Sequence, residues 1–210
     1  MRRSLSSRER LIEAARHLFA GAGFDATSVR AITARAHANL GAVTYHFGSK
    51  QALYHTVIER FALPLADRLA AIAAEPAPPL ERLASVVRGF LDHIWSHPEM
   101  PRLIARELAS DRPLPSPIAH VIRRNAEAIS RIVAEGQRDG SIRPGPPQLF
   151  AMSVAGQPLF LALAGRAIRE ATGKDPADPA ARSLITEHVV ANVRAGLANA
   201  APAPVAETAP

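Results

Sequence analysis

Cysteine is absent from the 210 residues, which excludes a disulfide framework, a zinc–thiolate site and a thiol nucleophile. No segment alternates with a period of two, and no internal repeat appears, so strands and solenoids are not expected and the chain reads as all-α. Long apolar runs are also missing. The longest, Leu149 to Ala164, is interrupted by Ser153, Gln157 and Pro158 and falls short of the about 20 apolar residues of a membrane helix. The N-terminal arginines are followed by no apolar stretch of the kind a secretory signal carries. A soluble, cytoplasmic protein with no membrane partner is expected. There is no nucleophile elbow, phosphate loop or dinucleotide fingerprint, so nothing favours an enzyme and no cofactor is called for.

What the chain does have is an uneven positive charge. The formal net charge is +6. Residues 1–60 carry nine Lys/Arg against four Asp/Glu, whereas the remaining 150 carry sixteen against fifteen. A basic N-terminal segment is the electrostatic footprint of a protein that meets a phosphate backbone. At this length the chain can hold a small domain and a larger one.

The basic segment contains the most informative stretch, residues 27–50. Thr27 is a capping type, and Val29, Ile32 and Ala36 after it make one face of a short helix. Asn39 can cap a second short helix that turns Val43 and Phe47 inward. About three residues around His37 remain between them, which forces a steep crossing. This is the arrangement of a helix-turn-helix, whose second helix enters the DNA major groove. Gly41 and Ala42 are small enough for close approach, at a cost of roughly 1 kcal/mol for a glycine inside a helix. Thr44, Tyr45 and His46 offer polar groups outward, with Lys50 at the next helix start. Hydroxyl and imidazole groups suit phosphates, and methyl groups suit thymine.

Thr27-Ser-Val-Arg-Ala-Ile, Ala36 and the run Val43-Thr-Tyr-His-Phe-Gly-Ser-Lys-Gln-Ala-Leu-Tyr54 resemble the DNA-binding domain of the TetR family of transcriptional regulators. Arg8-Glu-Arg-Leu-Ile-Glu-Ala-Ala and Leu18-Phe-Ala-Gly-Ala-Gly-Phe24 resemble that family's first helix. His37 stands where the family usually has glycine; histidine tolerates positive φ better than most residues. The resemblance implies DNA contacts from Thr27, Ser28, Asn39, Gly41, Ala42, Thr44, Tyr45, His46 and Lys50. It also implies a homodimer that represses transcription at a palindromic double-stranded operator until a small-molecule effector releases it.

The organisation expected is a DNA-binding domain over 1–60 (motif 28–47), a helical effector-binding and dimerisation domain over 61–199, and a disordered tail over 200–210. About nine helices are expected. The first carries Leu11, Ala15, Leu18 and Phe19 on one stripe and ends at Gly21 and Gly23. A fourth begins after Ser49 and is kinked at Pro64, the proposed hinge on the sole link between head and body. An eighth, 148–172, is apolar on nearly every side and should be covered all round; with the ninth, after Asp178-Pro179, it should pair with its copies about a two-fold axis.

Candidate chemistry in the body is sparse. His93 and His97 have the i, i+4 spacing of a metal pair, without a third ligand. Arg102 and Arg106 share a helix face suited to an anionic effector. Gln157 is a polar group in an apolar helix beside Pro158. Trp95 and Phe160 complete the expected effector contacts. The alternatives are a constitutive DNA-binding protein without an effector, and an all-α metal-dependent enzyme using the two histidines.

Overall fold

A computed structural model describes residues 5–199; the expected tail over 200–210 lies outside them. Among the described residues there are ten helices and no strand: α1 Ser7–Ala26, α2 Val29–Arg35, α3 Ala42–Phe47, α4 Lys50–Ala73, α5 Pro79–Ser96, α6 Met100–Leu108, α7 Ser116–Arg138, α8 Pro147–Leu163, α9 Gly165–Thr172 and α10 Pro179–Leu197. Three starts have clear chemical reasons. Ser6 and Glu9 form a reciprocal capping box at α1, Ser49 accepts the Ala52 N–H at α4, and Asp178 caps α10 with Pro179 in the first turn.

Two expectations change. The eighth helix divides at Ala164, giving α8 and α9 with a 76° bend between them. The sequence changes character there, from the apolar α8 to Gly-Arg-Ala-Ile-Arg-Glu, which has a single large apolar residue and buries none of its side chains. α8 is not covered all round either: Leu149, Met152, Phe160 and Leu163 are exposed. No single helix among the described residues is long and apolar enough to cross a membrane.

The chain forms two compact units. The first takes the chain through Arg68 together with Asp92–Arg124. Its core holds Leu11, Ile12 and Phe19 of α1, Ile32 of α2, Val43 of α3, Leu53, Val57 and Ile58 of α4, Leu103 of α6 and Ile118 of α7. Each such side chain contributes about 1.5–3 kcal/mol by leaving water. The second unit, Leu69–Leu91 with the chain from Asn125, buries Leu69, Leu83, Val87, Ile129, Ile132, Val133 and Val189. The unit boundaries fall inside α4, α5 and α7, so three helices, and not α4 alone, run from one unit into the other. Pro64 lies within the first unit. It has no N–H to give the Arg60 carbonyl, and the next carbonyl, Phe61, accepts the His93 Nε2–H at 2.7 Å.

Candidate nucleic-acid interface

The regular part of α1 stops at Gly23, which has φ 86° and ψ 172°. Gly21 stays helical, and its carbonyl and that of Ala22 accept the Arg106 guanidinium at 3.0 and 3.2 Å. Orphan carbonyls at a helix end require such donors. Thr27 closes the same end from below. It is 3% exposed, and its hydroxyl donates to the Gly23 carbonyl at 2.7 Å. The capping role expected of Thr27 therefore belongs to Ser28, whose Oγ accepts the Ala31 N–H. Ser28 is exposed at the start of α2; Thr27 has no surface to present to a phosphate.

α2 ends in a Schellman motif. The Ala38 N–H bonds to the Thr33 carbonyl and the His37 N–H to that of Ala34, with His37 between them at φ 49°. That is the left-handed position usually held by glycine, and histidine occupies it as its tolerance suggests. The turn is longer than the three residues expected, because Asn39, Leu40 and Gly41 are not helical. Asn39 accepts the Ala42 N–H through its main-chain oxygen and does not cap with its side chain. Gly41 is the N-cap of α3, with no side-chain bond, so it costs less than a glycine in a helix interior. A Cβ there would meet nothing within 4 Å.

From α3, Val43 points into the core and Phe47 is half-buried. The opposite face carries Thr44, exposed, and Tyr45, 85% exposed. His46 is half-buried, its ring edge-on to Tyr45 at 4.9 Å. Asn39, Gly41 and Ser28 are exposed, and Ala42 is partly so. Arg8 lies 5.2 Å from the Phe47 ring centre, which brings a basic residue of α1 beside the same helix. Gly48, at φ 80°, makes the turn into α4, a conformation other residues adopt only at a cost.

Lys50 differs most from its expected role. Its Nζ donates to the carbonyls of Phe24 and Thr27 at 2.9 and 3.0 Å and sits 4.2 Å from the Phe24 ring centre. It holds the α1–α2 junction against α4, and its charge is turned inward. Sequence reading also passed over Leu40, which is 57% exposed. Helical spacing would group Leu40 with Val43 inward, but helix geometry begins only at Ala42, so Leu40 stays on the outer turn.

The expected effector contacts fall into both units. Trp95, Arg102 and Arg106 belong to the first, and Gln157 and Phe160 to the second. Arg102 is exposed, while Arg106 is taken up by the α1 carbonyls, so the two do not form an anion clamp. Gln157 is half-buried and Phe160 is 66% exposed. His93 and His97 stack with ring centres 4.6 Å apart, and His97 Nδ1–H donates to the His93 carbonyl. No group of three or more possible metal ligands occurs among the described residues.

A short two-helix motif on a basic first unit, with a polar and open second helix, defines a helix-turn-helix DNA-binding protein of all-α architecture. Residues 11–57 match the family of bacterial regulatory proteins, tetR family. Residues 79–193 match the family described as tetracyclin repressor-like, C-terminal domain. The chain belongs to the TetR family of transcriptional regulators and is a DNA-binding regulator. Among its relatives, one named as a probable HTH-type transcriptional regulator of Bacillus subtilis is 25% identical over 178 residues, 83% of this chain and 86% of that one. The ketosteroid transcriptional regulator of Mycobacterium tuberculosis shares the fold with a TM-score of 0.73 at 23% identity, over 93% of this chain and 97% of that one. The regulator AibR, solved with isovaleryl coenzyme A and operator DNA, does so with a TM-score of 0.73 at 16% identity, over 89% and 97%.

Proposed function

We propose that this regulator is a homodimeric repressor that leaves a palindromic operator when a small molecule binds its body. It works by binding and not by catalysis, in the cytoplasm. DNA recognition is assigned to residues 1–60, and dimerisation and effector binding to 61–199. The observation that carries the DNA reading is the free face of α3, with Tyr45 85% exposed and open space above Gly41. Thr44, Gly41 and Ala42 face base edges; Ser28, Asn39, Tyr45 and His46 hold phosphates; Leu40 packs on sugar or a thymine methyl. Thr27 and Lys50 support this surface from beneath. The effector reading is supported by likeness to a regulator captured with both an acyl coenzyme A and its operator.

The dimer reading rests on α8. Leu149, Met152, Gly156, Phe160 and Leu163 follow one another at intervals of three, four, four and three residues, the spacing of a helix–helix seam. All five are exposed, and a Cβ at Gly156 would meet nothing. On α10, which touches α8, Leu184, His188, Ala191 and Ala195 form a second exposed row.

Titration of operator fragments tests the contact assignment. Tyr45→Ala should weaken binding to every sequence alike, by about 10-fold or more, as loss of a phosphate contact does. Thr44→Ala should change which fragments bind best. Unchanged affinity and unchanged preference in both variants would remove α3 from the interface.

A further inference from the structure

A cleft of about 420 Å³ opens in the first unit between the end of α1, the start of α4 and the loop from α6 to α7. Its size falls in the range of small-molecule sites. Phe24, Pro113, Leu114 and Pro115 give it apolar walls, and Tyr54 and Glu107 line its floor. Glu107 is 6% exposed. One of its oxygens, Oε1, accepts the Tyr54 hydroxyl at 2.6 Å. Among the described residues the carboxylate has no other hydrogen bond and no ion pair. A buried carboxylate requires a counter-charge or several donors, and here one phenol serves it.

The charges around the cleft do not supply that partner. Arg112 lines the rim, but its NH1 is held by Asp25 at 2.7 Å, so those two cancel. Lys50 is drawn to the carbonyls of Phe24 and Thr27, and His55 is half-buried at the edge. The Glu107 charge is left uncompensated beside an aromatic nest in which Phe24 and Tyr54 stand 5.0 Å apart. Burial and the neighbouring carboxylate also push the Tyr54 phenol above its ordinary range, so it remains a donor to Glu107.

We infer that this cleft is a binding site for a small organic cation, a protonated amine carried on an apolar or aromatic body. The ammonium donates to the open oxygen of Glu107, and the body lies on Phe24 and the Pro113–Pro115 wall. An anion is disfavoured, because it would approach an uncompensated carboxylate. Glu107 and the Pro113–Pro115 wall lie within the 61–199 segment and Phe24 and Tyr54 within 1–60; the binding test is made without DNA, so its outcome does not depend on the repressor reading.

The two tyrosines of the chain make the test direct, because Tyr45 is on the open face of α3 and Tyr54 is in the cleft. The full-length protein with ring-labelled tyrosine is titrated with phenethylammonium and, separately, with 3-phenylpropanoate, and followed by NMR. The ammonium should shift the Tyr54 resonance and leave that of Tyr45 in place; the carboxylate should shift neither. Glu107→Gln should weaken the ammonium at least about 10-fold, the loss expected for one charge-assisted hydrogen bond, and Arg112→Ala should tighten it by removing a like charge. Glu107→Gln alters a buried pair, so its helix content is measured first; where that is lost, Arg112→Ala decides alone. Equal affinity in Glu107→Gln, weaker or unchanged binding in Arg112→Ala, preference for the carboxylate, or no shift at Tyr54 would each overturn the assignment.

Discussion

Lys50 ties two carbonyls and an aromatic ring together at the α1–α2 junction, so its replacement is first a matter of stability. Lys50→Ala should lower the unfolding free energy by about 1–2 kcal/mol and leave the salt dependence of DNA binding almost unchanged. Chemical denaturation and binding at several salt concentrations check the two halves. A salt slope that flattens by about one, with unchanged stability, would return Lys50 to the phosphate surface. His37 offers the opposite experiment. Its φ of 49° suits glycine at the end of a Schellman turn, so His37→Gly should stabilise the head by about 1 kcal/mol, raising Tm by a few degrees. At His93, burial first, then the neighbouring His97 and Arg68, hold the imidazole below its ordinary value of about 6.5. The unfolded chain then binds the proton more readily than the native one, so stability is lost as pH falls through about 6.5. Melting curves across that range should show the loss. His93→Gln, which can still donate to Phe61, should flatten it.

At the scale of elements, the seam on α8 makes a sharp forecast. Phe160→Glu places a charge where two copies would bury a ring each, so the dimer dissociation constant should rise at least about 100-fold. The exposed ring has few contacts within its own subunit, so helix content should hold. Sedimentation shows whether it does. Most helices are legible from sequence because their apolar stripes and caps act locally: Ser49, Asp178-Pro179 and the stripe of α1 need no tertiary knowledge. The failures have tertiary causes. Thr27 and Ser28 are both good caps, and only the carbonyl of Gly23 decides which hydroxyl turns inward. Arg106 looked like an anion ligand because the carbonyl end of α1, its actual partner, lies some 85 residues away in the chain. The break at Ala164 was hidden because α8 and α9 read as one apolar run giving way to a charged one, without a proline at the joint. An all-apolar helix does not declare which side stays open, so the exposure of Phe160 is not legible in the sequence either.

In the proposed dimer, the whole molecule is a basic helix-turn-helix unit and a body that would pair with its copy through the exposed row on α8. A two-fold axis through that seam would set two α3 helices in successive major grooves, about 34 Å apart or somewhat more, on an inverted repeat. The claim that the chain reads DNA as such a pair is tested most directly by a footprint. Genomic fragments are selected with the purified protein, and the best-bound fragment is probed for protection with the native chain and with Tyr45→Ala. The account predicts two protected half-sites of inverted sequence, centred about one helical turn apart, filled together by the native protein and unprotected with the variant at the same concentration. A single protected half-site, or no sequence enriched over the input, would contradict it.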